Sequence, residues 1–245
     1  MIKYCQLPKN IACLSLAAVF ASSLAMPSAV AQVSHSSFGN AVTFTCNDSE
    51  ATIRAKNGAR VVKGTTSIYI GYQQVSSTNK DPRIVRFDNG VRTWCRSDYE
   101  TTGDDGSGYG LLWGSDGALY GVFSSTGTQT GNDFRRYSNG RWMSSYGSGG
   151  GAKVAVIARI DPANGNVNYA TFLSARKNDG TSNSLQVTGL GWNGRHLTVQ
   201  ANSWWSPRRP DRTAMTCSGT SPFTYTSVFT GDLITMTSAA AVGCN

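Results

Sequence analysis

The chain has 245 residues, with 22 basic and 14 acidic side chains for a net charge of +8, and it carries 27 glycines and six cysteines. An apolar content of 40% against only 15% charged residues excludes a disordered polyelectrolyte and supplies a sizeable core. Glu50 and Glu100 are the only glutamates, while Gly, Ser, Thr and Asn abound, a composition that starves helices and suits short strands joined by tight turns.

The amino-terminal segment carries Lys3 and Lys9, an apolar run from Ile11 to Leu24, and Ala29-Val30-Ala31 before Gln32. That is the pattern of a secretory signal peptide over residues 1–31. No later stretch approaches the roughly 20 apolar residues of a membrane span. A single domain over residues 32–245 is therefore expected, secreted or periplasmic and without a transmembrane segment. Loss of Lys3 and Lys9 with the leader leaves 20 basic against 14 acidic side chains, a net +6 that favours anionic partners and serves solubility equally. Cys46, Cys95, Cys217 and Cys244 remain. An even number in an exported chain predicts two disulfides with three connectivities open, and no CxxC pair is present for redox or zinc chemistry.

Beyond the leader no helical period is evident, and hairpin signals recur instead. They fall at Asn57-Gly58, Asn89-Gly90, Asn139-Gly140, Asn164-Gly165 and Asn193-Gly194, with Asp116-Gly117 as a relative. Both residues of such pairs tolerate the positive φ that two-residue hairpin turns demand. Residues 65–77, TTSIYIGYQQVSS, resemble residues 118–126, ALYGVFSST, as one strand of a repeated unit. Residues 84–127 and 157–203 match at a shift of 75, pairing Asn89-Gly90 with Asn164-Gly165, Asp104 with Asp179, Ser107 with Ser182 and Leu112 with Val187. After a two-residue slip Tyr120 falls on Leu197 and Val122 on Val199. Residues 134–146, FRRYSNGRWMSSY, resemble Val85 to Trp94 as another first hairpin. Alternation is plain in Val154, Val156, Ala158 and Ile160, and in Leu197, Val199 and Ala201, with Thr198, Gln200 and Asn202 opposite.

Strand, turn, strand, Gly/Asp loop, strand, turn, strand makes a unit of about 45 residues, the size of one propeller blade. The expected fold is all-β and propeller-like, with about four to five irregular blades. A β-sandwich or irregular barrel shares the composition and alternation and is the alternative, but neither requires the long constant shift.

The run ARIDPANGNVNYATFL, a Gly/Asp loop, and LQVTGLGWNGRHLTVQANS resemble bacterial SBBP-type β-propeller repeats. FDNGVRTW, TGDDGSG and GSDGALYGVF in residues 84–127 resemble them more weakly. The resemblance spans about 90 residues and implies a repeat-built surface or secreted protein with no particular activity.

The chemistry-bearing residues are few. His35 and His196 are the only histidines, and no GxSxG, HExxH or phosphate-cradling Gly-Lys-Ser/Thr motif occurs, which argues against Ser-His-Asp and metal-histidine hydrolases. Asp104, Asp105 and Asp179 sit in equivalent loops, and Asp88 and Asp161 in hairpin turns; recurrence predicts that they satisfy turn N–H groups. The rival reading is a glycoside hydrolase or lyase that uses Asp104, Asp105 or Asp179. The TGDDGSG loop is a calcium candidate through its oxygens, although it lacks EF-hand spacing; no other cofactor or metal is expected.

Residues 203–212, SWWSPRRPDR, stand apart, and Trp204, Trp205, Arg208, Arg209 and Arg212 form the candidate binding surface. Indole faces stack on sugars and arginine forks grip anions, which suits an anionic glycan or other polyanion. The bland alternative plugs the tryptophans between layers and pairs the arginines with Asp211. Trp94, Trp113, Trp142 and Trp192 are expected in the core. The reading is an exported, non-enzymatic binding protein for acidic polysaccharide. A third alternative is a matrix or adhesion component, which would have no polar pocket. Unpaired strand edges in an unclosed fold would leave self-association open.

Overall fold

In the computed structural model the described residues are 35–126, 131–147 and 153–245. The leader expected over residues 1–31 lies outside them. The elements run β1 (His35–Phe38), α1 (Glu50–Ala55), β2 (Arg60–Lys63), β3 (Thr66–Ser76), β4 (Asn79–Asp88), β5 (Val91–Arg96), β6 (Gly106–Trp113), β7 (Leu119–Ser125) and a 3-10 turn (Phe134–Tyr137). There follow β8 (Val154–Ile160), β9 (Val167–Leu173), β10 (Ala175–Arg176), β11 (Ser182–Asn183), β12 (Leu185–Trp192), β13 (His196–Ser203), β14 (Phe223–Thr230) and β15 (Met236–Ala241).

The fold is all-β, and three of its sheets are antiparallel meanders in chain order: β2-β3-β4-β5, β6-β7-β8-β9 with β1 added on the edge of β6, and β12-β13-β14-β15. β10 and β11 form a two-stranded ribbon, and among the described residues no sheet closes on itself. The repeat read from the sequence is visible in the strands but falls out of phase with the sheets. Residues 84–127 hold β4 and β5 of one sheet and β6 and β7 of the next; residues 157–203 likewise hold β8 and β9, then β12 and β13. Each repeat thus joins the last hairpin of one sheet to the first hairpin of its successor.

Hairpin turns form at Asn89-Gly90, Asp116-Gly117, Asn164-Gly165 and Asn193-Gly194, each with its glycine at positive φ. Asn57-Gly58 instead ends α1, and Asn139-Gly140 follows the 3-10 turn, so no hairpin forms over residues 134–146. The helix escapes a periodicity search because it is only six residues long with one buried side chain, Ile53, and its start rests on Ser49 accepting from the Thr52 amide. His35 pairs with Trp113 in the β1–β6 ladder.

The sheet containing β6 to β9 is the middle layer. β7 and β8 are buried on both faces, so Ala155 and Ile157 are covered as fully as Val154 and Val156. Gly108 allows β6 to cross β3, since a Cβ there would stand 2.2 Å from Ile70 Cγ1. On the opposite side, Tyr109 accepts from the Val187 amide of β12 at 3.1 Å.

Successive sheets are clasped in the same way. Arg86 of β4 and Trp94 of β5 donate to Pro162 O in the β8–β9 turn, at 2.8 and 3.0 Å. Arg159 of β8 and Tyr120 of β7 donate to Gly231 O in the β14–β15 turn, at 3.0 and 3.1 Å. One apolar core runs through all three sheets, and a second, of Phe44, Ile53, Tyr69, Val85 and Phe87, lies under α1. Trp113 and Trp142 are buried, and Trp94 and Trp192 pack partly buried against the main core. Disulfides join Cys46 to Cys95 and Cys217 to Cys244. Among the described residues no helix is long and apolar enough to cross a membrane.

Candidate binding cleft

Between the end of β1, the starts of β6, β8 and β12, and the end of β13 lies a cleft of about 540 Å3. Its apolar wall is Leu185 and the buried ring of Tyr109, whose phenol burial pushes well above its ordinary value. Trp204 lines it with an indole that remains 39% exposed. The main chain from which that ring projects is held in place: the Trp204 amide donates to Ser184 O at 3.1 Å, directly after the last residue of β13.

Polar groups come from five segments. Ser107 and Ser124 bond each other across β6 and β7 at 2.8 Å. Ser184 Oγ accepts from the Lys153 amide at 3.1 Å, and Leu185 N donates to Lys153 O at 3.1 Å, so Lys153 is fixed at its backbone while its side chain is exposed. Asn40, Asn183 and Gln186 complete the polar lining. Among the described residues, the side chains of Asn40, Gln186 and Lys153 make no hydrogen bond and are free for a ligand. No carboxylate stands among the described lining residues.

The predicted surface over residues 203–212 therefore divides. Trp204 lines the cleft, and Trp205 is 41% exposed beside it without lining it. Arg208 is instead 7% exposed and donates to Ser174 O, Ser174 Oγ and Arg212 O. Desolvation, and secondarily Arg176, lowers its guanidinium to about 10. Arg209 donates to Ala214 O and Asn245 O. Arg212 is exposed in a positive-φ turn where its carbonyl receives Arg208. Asp211 accepts from Thr213 rather than from an arginine. The cation at the cleft is Lys153, which sequence reading passed over; its one signal is its position after the glycine-rich GSGGGA run.

The candidate catalytic acids are dispersed. Asp179 accepts from the amide and hydroxyl of Thr181, and Asp161 accepts from Ala163 N and Asn164 Nδ2, both as turn residues. Asp88 takes a bidentate Arg86 together with the hydroxyls of Thr66 and Thr93, and those bonds, with Arg86 first, hold its carboxyl far below the usual range. Asp105 is joined through its backbone to Thr126, which closes the end of the β6–β7 hairpin. Asp104 lies in the loop before β6, electrostatically coupled to Glu100. Glu100 is 1% exposed, and desolvation pushes its carboxyl up to about 7. His196 lies on the polar face of β13 with Thr198, Gln200 and Asn202, outside the cleft lining. Among the described residues no group of three or more His, Cys, Asp or Glu side chains is arranged to hold a metal.

No protein-family model, curated protein or solved structure matches the chain.

Proposed function

We propose that this is an exported, non-enzymatic binding protein that holds a segment of acidic polysaccharide in the cleft beside Trp204. The observation that carries the reading is one exposed indole, backbone-fixed at a cleft of about 540 Å3 whose free side chains are two amides and one ammonium. The volume suits a small-ligand site. An indole face covers the C–H face of a sugar ring, and amide groups pair with its hydroxyls as both donors and acceptors. Lys153 supplies the positive charge for a uronate carboxylate or sulfate. With no acid among the described lining residues, the general-acid and general-base pair of a glycoside hydrolase has no support at this site. Two disulfides support an oxidising compartment, secreted or periplasmic. For the scaffold we favour propeller-like blades, supported by the three sequential meanders and the repeated arginine-to-turn clasp.

A glycan-binding screen at low and physiological salt tests this. Acidic glycans are expected to bind with an affinity that salt weakens. Trp204→Ala is expected to reduce it by about tenfold, and Lys153→Ala to flatten the salt dependence. Binding indifferent to both substitutions, or none to any glycan, would overturn the reading.

A further inference from the structure

The indole at the cleft stands at the end of the polar face of β13. Thr198, Gln200 and Asn202 project from that face at two-residue intervals, and Trp204 follows at the same interval. The Trp204 amide donates to Ser184 O, one step beyond the pairing of Leu185 with Ser203, so the β12–β13 ladder carries its alternation as far as the indole. By strand rise the line from Thr198 to Trp204 is about 20 Å long, room for about four pyranose rings. On β12, Gln186 stands opposite Asn202, while Gly189 and Gly191 stand opposite Gln200 and Thr198. A Cβ at Gly189 would lie 2.9 Å from Gln200 Oε1, so the glutamine amide reaches over β12 through space that the glycine leaves open. Gln186 also lines the cleft, which makes cleft and strand face one continuous surface.

This surface has hydrogen-bonding groups to spare and no charge. Among the described residues the side chains of Gln186, Thr198, Gln200 and Asn202 make no hydrogen bond, because the ladder uses only main-chain groups. Thr224 and Thr226 of β14 lie opposite Asn202 and Gln200 and extend the same face. No Asp, Glu, Lys or Arg occurs in β12, β13, β14 or β15, although 15% of the chain is charged. Amides and hydroxyls both donate and accept, as the hydroxyls of a neutral sugar do. A carboxylate laid on this face would give up water and meet no counter-charge. The nearest cation, Lys153, is at the Trp204 end, in the cleft.

We propose that the glycan runs out of the cleft along β13, with an acidic residue at Trp204 and Lys153 and uncharged sugars over Asn202, Gln200 and Thr198. This rests on the cleft reading above and narrows it. The substrate class is a heteropolysaccharide that spaces its acids along a neutral chain, rather than a polymer charged at every residue.

The test is calorimetric titration at physiological salt, where long-range attraction to a basic chain is screened. A deacylated gellan octasaccharide, with one glucuronate in each tetrasaccharide repeat, is expected to bind at least about tenfold more tightly than methyl glucuronide, the gain of about two added hydrogen bonds. Octagalacturonate, charged at every residue, is expected to bind more weakly than the gellan fragment. Gln200→Ala combined with Asn202→Ala alters only side chains of the solvent face. It is expected to abolish the gain from length while leaving the affinity for methyl glucuronide within about twofold. Equal affinity for the short and long ligands, or a length gain that survives in the double variant, would overturn this path and leave the cleft reading standing. Octagalacturonate binding as tightly as the gellan fragment would overturn the assignment of a neutral chain. Failure of every ligand to bind would remove the cleft reading and this one with it.

Discussion

Two basic side chains near Trp204 have opposite fates, decided by what surrounds them. Lys153 has a bonded backbone and an unengaged, exposed ammonium, whereas the Arg208 guanidinium is buried and donates to Ser174 and to Arg212 O. The Arg208 carbonyl also accepts from the buried Tyr225 hydroxyl at 2.8 Å, so the residue is pinned from both ends. Truncating Arg208 removes packing of its stem and strands several buried acceptors. Arg208→Ala is therefore expected to cost about 2–4 kcal/mol of folding stability. Denaturant unfolding checks that figure, and affinity for an acidic glycan, measured on the fraction that stays folded, is expected to stay within about twofold. A stable variant that has lost its ligand would instead return Arg208 to the binding surface.

At the scale of elements, close approach matters as much as strand pattern. Gly108 of β6 faces Ile70 of β3, where an added Cβ would lie 2.2 Å from Cγ1 and 2.6 Å from Cδ1. Gly108→Ala is expected to cost about 1–3 kcal/mol through overpacking. Combining it with Ile70→Ala should make the pair less destabilising than the sum of the singles by more than about 1 kcal/mol. Strict additivity in a double-mutant cycle would show that this crossing does not set the spacing of the layers. Such contacts explain what could be read in the sequence and what could not. The alternation of Leu197, Val199 and Ala201 was legible because β13 has one polar face. That of β8 was visible only in part, because its second face is covered by another sheet. Asn89-Gly90 and Asn164-Gly165 announced hairpins through local φ demands. The grouping of hairpins into sheets depends on long-range pairing, which a repeat of turns does not encode, and so the unit was placed two strands out of phase. Trp204 was legible as an exposed aromatic in a loop. Asn40, Lys153 and Gln186 were not, because no sequence signal shows that five separate segments converge on it.

Across the whole molecule, stability is distributed unequally between the layered core and its covering segment. The middle sheet is buried on both faces, while α1 covers a small second cluster and is tied down by Cys46–Cys95, a link across 49 residues of sequence. Opening that link returns loop entropy to the unfolded chain, worth about 4 kcal/mol in the chain-entropy account. In the folded chain the loss should concentrate where few other contacts hold the backbone, in residues 42–57. β7 and β8 lie deep in the main core and should keep their protection. Native-state hydrogen exchange on a Cys46→Ala, Cys95→Ala variant separates the two effects. Faster exchange confined to residues 42–57 and β5, with slow amides retained in β7 and β8 relative to the new global stability, is the expected pattern. Uniform loss across all three sheets would mean that α1 and its disulfide unfold only with the core, and that the second cluster is part of one cooperative unit.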